Sequence, residues 1–176
     1  MAINWTEAQI AEVVSKVLAQ VQSPAQSSDK DWDSTQYHGR KLLGVYDTME
    51  EAIAAAEAGY KAIRAMSVAQ REKLITTIRE YTRAEAPAMA ALGVAETKMG
   101  RVEHKVAKHM LVADKTPGTE DIVAEAKTGD HGLTLTERAP FGVVGAITPS
   151  TNPSETVICN SIGMIAAGNG VVFNPH

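Results

Sequence analysis

The chain is poor in what several function classes require. Its one cysteine, Cys159, rules out an internal disulfide and any CxxC metal or redox motif. Aromatic residues make up 5% of the sequence, too few for a run of base-stacking platforms. The formal net charge is −4 and no long basic run occurs, so nucleic acid and membrane surfaces find no electrostatic footprint. No apolar run approaches the roughly 18 residues of a membrane span, and no basic flank leads into an apolar h-region at the N-terminus. The expectation is a protein of the reducing cytoplasm, without nucleic-acid or membrane partners.

What remains is ordinary globular material. Hydrophobic residues at 44% against charged residues at 22% separate the chain from disordered sequences. A length of 176 residues suits about one domain of the usual size, roughly 100–200 residues. No internal repeat is visible.

Residues 6–22 form an amphipathic pattern. Ile10, Val13, Val14, Val17, Leu18 and Val21 follow the i, i+3, i+4, i+7 rhythm of one helical stripe, and Thr6 with Gln9 fits a capping box. Residues 23–41 are polar and breaker-rich, beginning Ser23-Pro24, and read as a linker. A tethered helix this short needs a partner for its stripe. It either folds back on its own domain or docks into another protein's groove.

The body starts near residue 42. Thr48 and Glu51 make a second capping box that opens a helix to about Met66, with Ile53, Ala56, Tyr60 and Ile63 on its buried face. Helices follow over 68–83, with Leu74, Ile75, Ile78 and Tyr81 inward, over 86–99 with Pro87 at its start, and over 102–114. His104 and His109 are five residues apart, a spacing that does not share one helical face as HExxH does, so no metal site is expected. They and Lys105, Lys108 and Lys115 read as a solvated surface.

Then the period changes. Gly129-Asp130-His131-Gly132 is a turn leading into an alternating strand at about 133–138. Residues 141–147 are an apolar run suited to a strand buried on both faces, 153–167 a helix, and 171–173 a second buried strand. The fold class is therefore α/β: a helical layer plus the first β-α-β unit of a Rossmann-type sheet. Two parallel strands do not make a stable sheet, so the unit is expected to be completed by further chain or by a partner.

The loop Thr148-Pro149-Ser150-Thr151-Asn152 lies at the carboxyl end of the first of these strands, where open α/β sheets bind ligands. Pro153 suits a first helical position, and Glu155 falls at the third. Asn152 can act in two ways: as a helix cap only, or as a cap whose NH2 group also donates to an oxyanion in the crevice. Cys159 has no base near it in sequence, and Ile162, Gly163 and Ala166 share its helical face, so it reads as a packed small residue. Gly142 and Gly145 do not make GxGxxG.

Residues 137–153, Glu-Arg-Ala-Pro-Phe-Gly-Val-Val-Gly-Ala-Ile-Thr-Pro-Ser-Thr-Asn-Pro, resemble the start of the nucleotide-binding domain of aldehyde dehydrogenases. The Pro-Ser-Thr-Asn-Pro form, with Ile165-Ala166-Ala167-Gly168-Asn169 and Val171-Val172-Phe173-Asn174-Pro175-His176, is similar to the CoA-acylating branch, and within it to the propanediol- and ethanolamine-utilisation microcompartment enzymes. The likeness runs from about Val45 to His176, so residues 42–176 are expected to be the N-terminal part of the NAD-binding domain. Residues 1–22 resemble the encapsulation peptides of microcompartment cargo, which implies shell or core proteins as partners.

The resemblance implies NAD-dependent oxidation of a short-chain aldehyde, of the acetaldehyde and propionaldehyde class, to its acyl-CoA in a microcompartment lumen. Coenzyme A is then the co-substrate and the protein a homo-oligomer, with the strand at 133–138 in its oligomerisation arm. Asn152 would be the oxyanion donor, or Thr151 if the loop is aligned without a gap. Thr148, Pro149, Ser150 and Thr151 would line the nicotinamide side of the cofactor crevice, and Asn174, Pro175 and His176 the adenosine side of NAD or CoA. Many hydrolytic relatives carry lysine where Asn174 stands, so ribose recognition differs. The family's cysteine nucleophile, which forms a thiohemiacetal and then a thioester, would lie beyond residue 176, leaving this segment inactive by itself. The alternative is a truncated, non-catalytic cargo module acting through residues 6–22.

Overall fold

The computed structural model describes residues 43–175. The expectations for residues 1–22 and 23–41, and for His176, lie outside the described residues. Three helices come first: α1 (Met49–Arg64), α2 (Val68–Thr97) and α3 (Val102–Lys115). A short 3-10 turn at Thr119–Asp121 precedes the antiparallel strands β1 (Glu125–Gly129) and β2 (Gly132–Thr136). Then come β3 (Val143–Thr148), α4 (Pro153–Ala167) and β4 (Gly170–Pro175).

Capping sets the helix starts. The Thr48 hydroxyl accepts from the Glu51 N–H at 3.2 Å, and Ser67 with Gln70 forms a reciprocal capping box that opens α2. α2 is one 30-residue helix where two were expected, with Pro87 in its interior. A proline there removes one backbone hydrogen bond and crowds the preceding turn. Ala86 and Ala90, on either side of it, are both fully buried, so the packed face runs straight past the proline and keeps the helix continuous.

The core lies between α2 and α4. Ile75, Ile158, Ile162 and Ala166 form its centre, with Ile78, Met89, Val112, Ile122 and Ile165 packed around them. Full burial of an isoleucine side chain such as Ile75 or Ile162 stabilises by about 1.5–3 kcal/mol. Leu74, Tyr81 and Ile53, expected inward, are exposed, because α2 and α1 meet their neighbours over narrower stripes than the apolar pattern suggests.

The β-α-β unit matches expectation in order and type. β3 and β4 are parallel, in register from Val143↔Gly170 to Thr148↔Pro175. Burial of β3 on both faces does not occur among the described residues. Ala146 and Thr148 are buried on one face, while Gly145 and Ile147 on the other stay exposed, Ile147 at 80%. The α4–β4 joint uses Gly168 in the left-handed region at φ 78, where a glycine carries no Cβ penalty. Asn169 beside it is buried, and its side-chain oxygen accepts from the N–H groups of Phe141 and Gly142 at 2.6 and 3.0 Å. That pair of bonds ties the entry of β3 to the exit of α4.

The hairpin corrects the strand expected at 133–138. The Asp130-His131 turn is as read, but β2 begins at Gly132 and ends at Thr136, leaving Glu137 and Arg138 outside. Its partner β1, Glu-Ala-Lys-Thr-Gly, was not foreseen, since few of those residues favour strands. Here the tight turn and the ladder pairing decide, not local propensity. Every residue of both strands is exposed.

Candidate functional site

The loop after β3 and the first turn of α4 define the site. Its backbone is set by Asn152-Pro153: a residue before proline is kept out of the helical region, and Asn152 sits at φ −143, ψ 59 while Pro153 starts the helix. The Asn152 carbonyl accepts from the Thr156 N–H at 3.1 Å and from the Thr156 hydroxyl at 2.7 Å. The Asn152 side chain, however, makes no cap hydrogen bond. It turns towards α3, where its Oδ1 accepts from Lys108 Nζ at 2.8 Å and from Lys105 Nζ at 3.3 Å.

Lys105 reverses a second expectation. It is buried, not part of a wet face: its ammonium donates to the Thr151 carbonyl as well as to Asn152, and lies 3.2 Å from Glu155 Oε1. Glu155 is equally buried, and Oε1 has no aligned hydrogen-bond donor, so the contact with Lys105 is a charge pairing more than a directed bond. The cation thus gathers three acceptors from one stretch, residues 151–155.

His109, one turn further along α3, is fully buried instead of solvated. Its Nδ1 faces the Lys105 carbonyl at 2.7 Å, and a carbonyl can only accept, so Nδ1 carries a proton. Its Nε2 lies 2.8 Å from the Ser154 hydroxyl, which in turn is 3.2 Å from Glu155 Oε2. One hydroxyl proton cannot serve both neighbours. With a neutral His109, Ser154 donates to Nε2; with a protonated one it accepts there and donates to Glu155.

The residues expected at the cofactor crevice are brought together by the register. Thr148 pairs with Pro175 and Ile147 with Asn174, so the two segments Thr148–Thr151 and Asn174–Pro175 meet at the carboxyl edge of the strand pair. Pro149, Thr151, Asn174 and Pro175 are exposed there and Ser150 is half-buried. Thr148 differs: it is 1% exposed and its hydroxyl has no hydrogen-bond partner. Its side chain lies beneath the strand end and not on the exposed edge.

A groove of about 360 Å³ runs beside Asn152 between α3 and α4, bordered by Lys108, Leu111, Val112, Thr156 and Cys159. Cys159 is exposed into it, contrary to the packed position expected, because α4 turns its Ile158-Ile162-Ala166 stripe to the core and Cys159 falls just beyond that stripe. A second hollow of about 650 Å³ separates residues 44–56 from β4. Among the described residues no group of three or more His, Cys, Asp or Glu side chains could hold a metal, and no helix is long and apolar enough to cross a membrane.

Sequence reading missed Lys105, Glu155, His109 and Asn169. The i, i+4, i+8 spacing of Lys105, His109 and Ala113 is the one signal that could have placed Lys105 and His109 on α3's packed face.

Comparison with known proteins gives a consistent pattern. Residues 33–176 match the model of the aldehyde dehydrogenase family. An acetylating acetaldehyde dehydrogenase of Escherichia coli strain K12 is 46% identical over 167 residues, which is 95% of this chain and 33% of that protein. The structure of a mutant propionaldehyde dehydrogenase from the fucose-utilisation microcompartment of Clostridium phytofermentans superposes with a TM-score of 0.74 at 60% identity, covering 76% of this chain and 31% of that one. A propionaldehyde dehydrogenase of Rhodopseudomonas palustris, with bound CoA and an acylated cysteine, gives a TM-score of 0.72 at 48% identity, over 76% of this chain and 31% of that one. The chain therefore spans about a third of the length of these relatives.

Proposed function

The chain belongs to the aldehyde dehydrogenase family, and we propose that it is the N-terminal part of a CoA-acylating member that oxidises short-chain aldehydes to acyl-CoA within a bacterial microcompartment. One observation carries this reading: the Asn152 amide stands at the carboxyl tip of β3 with its oxygen held by α3 and its NH2 turned the other way.

In this reading Asn152 donates to the carbonyl oxygen of the aldehyde as negative charge develops on it. Thr151, exposed next to it, is the alternate donor. The groove between Lys108 and Cys159, which Asn152 also borders, is open space for the aldehyde's alkyl chain. The nucleophile is a cysteine supplied from outside these residues. A cysteine is acylated in the R. palustris relative, and Cys159 stands exposed on α4 with no hydrogen bond among the described residues.

NAD and coenzyme A would bind across the carboxyl ends of β3 and β4. The exposed residues Pro149, Thr151, Asn174 and Pro175 flank the same strand ends, and an extended ligand would cross them. Bound there, the dinucleotide supplies a hydride acceptor. The chain's own part is to orient the carbonyl and to floor the crevice with Thr148.

The hairpin β1–β2 is the oligomerisation arm. A two-stranded hairpin is marginal by itself, and Leu133 and Leu135 stand exposed at 67% and 58% with nothing on them among the described residues. A second copy of the protein covers them. Residues 6–22 act as the encapsulation helix that binds shell or core proteins through the stripe Ile10, Val13, Val14, Val17, Leu18 and Val21.

The test is an assay of the complete natural polypeptide with acetaldehyde and propionaldehyde, following NADH with and without CoA. CoA-dependent turnover supports the acylating reading, and turnover indifferent to CoA overturns it. Asn152→Ala should lower kcat about 10²–10³-fold, the usual loss when one oxyanion donor is removed. For the targeting helix, residues 1–22 fused to a reporter should gather in microcompartments, and diffuse signal in a shell-producing cell rejects that role.

A further inference from the structure

Lys105 is an odd residue to find beneath this loop. The N-terminus of a helix carries the positive end of its dipole, so a buried ammonium below the first turn of α4 is disfavoured by the helix itself. It also loses its hydration, being only 7% exposed along its side chain. What the ammonium does that no apolar group can is donate. Its hydrogen bonds go to the Thr151 carbonyl and to Asn152 Oδ1 at 3.3 Å, and its charge pairs with the Glu155 carboxylate at 3.2 Å.

The consequence falls on Asn152. An amide side chain can turn over and exchange its oxygen and nitrogen, and a donor site needs the nitrogen on the correct side. With Lys105 and Lys108 both against it, the α3-facing atom has to be an acceptor, since an ammonium has three donors and no lone pair. The reversed amide would set NH2 against two cations. The nitrogen is therefore driven away from α3, to within 3.4 Å of the Thr151 hydroxyl, and its second hydrogen has no acceptor among the described residues.

We propose that Lys105, assisted by Lys108, is a positioning residue for aldehyde oxidation: it locks the Asn152 amide with the NH2 group facing the reacting carbonyl and pins the Thr151–Asn152 backbone from below. Glu155 pairs with the buried ammonium from the α4 side. Lys105 does not touch substrate and acts only through Asn152. The inference rests on the reading of Asn152 as oxyanion donor.

The experiment is a mutant cycle in the complete natural polypeptide. Lys105→Met strands Glu155, so it is made together with Glu155→Gln, which removes both charges and keeps the fold testable. This pair should lower kcat by about 10²-fold, the cost of a misplacement of around 1 Å, with KM for the aldehyde little changed. Adding Lys108→Met should deepen the loss. On an Asn152→Ala background the Lys105→Met/Glu155→Gln change should cost less than about twofold more, because the group it positions is already gone.

Two failures are distinguishable. If Asn152→Ala lowers kcat but the charge-pair variant retains wild-type kcat, or if the two losses multiply in the combined variant, the positioning role is wrong and the donor reading stands. If Asn152→Ala leaves kcat unchanged, the donor reading itself is wrong and the role of Lys105 falls with it.

Discussion

Lys105 of α3 and Glu155 of α4 form a buried ion pair, 3.2 Å apart, that joins the two helices directly under the site loop. Both charges have left water, and their attraction only partly offsets the desolvation, so the pair is costly to break and cheap to replace as a unit. Glu155→Leu should destabilise the complete protein by about 3–5 kcal/mol, measured by urea unfolding, because it leaves Lys105 uncompensated. Lys105→Met/Glu155→Leu should recover most of that loss. A single variant as stable as wild type would mean that the pair is solvated.

The groove beside Asn152 gives a prediction on substrate size. Cys159 is exposed at its wall, and phenylalanine there would fill much of the roughly 360 Å³. Cys159→Phe should reduce kcat/KM more for each added methylene, by about tenfold per step where the chain meets the ring, and least for acetaldehyde. Equal losses across a series from acetaldehyde to pentanal would put the acyl chain elsewhere.

Gly170 is held by contact, and Gly59 is not. A Cβ at Gly170 would lie 2.7 Å from the Ala56 carbonyl and 3.1 Å from Tyr60 Cβ, so α1 must move off β4 to admit it. Gly170→Ala should cost about 1–3 kcal/mol as overpacking. Gly59, exposed within α1 with open space around its Cβ position, should behave oppositely, and Gly59→Ala should add about 0.5–1 kcal/mol in the same unfolding assay.

Glu120 supplies a pH dependence. Hydrogen bonds from its own N–H and that of Gly118 hold its carboxyl below the ordinary carboxylate range, against the opposing effect of burial and with Arg79 at 3.6 Å adding last. A depressed folded-state pKa gives stability that is fully present above the unfolded value and is lost as pH falls through the folded one. Wild type should therefore melt above Glu120→Gln near neutrality, with the two curves converging on strong acidification. The difference is small, since Glu120 is 60% exposed, and a gap that widened in acid would reverse the assignment.

Much of the fold was legible along the chain. Thr48 marked the start of α1, Asn152-Pro153 the start of α4, and Gly168 its end, each through a cap or breaker that acts over three or four residues. The turn at 129–132 was visible and the strand before it was not, because Glu-Ala-Lys-Thr-Gly becomes a strand only by pairing with β2. Pro87 misled for the same reason. Its local cost is real, but the packing of Ala86 and Ala90 outweighs it.

The site divides along the same line. Sequence alone singled out the candidate loop, since Thr148–Asn152 and its helix start are contiguous and their backbone preferences are local. Tertiary structure decided what that loop's side chains do. Lys105 and His109 lie more than forty residues from Asn152 and Ser154, and in sequence they look like a charged, solvated helix face. Only the packing of α3 against α4 removes water from them, and the loss of water is what forces each buried donor to find an acceptor and so turns the Asn152 amide one way.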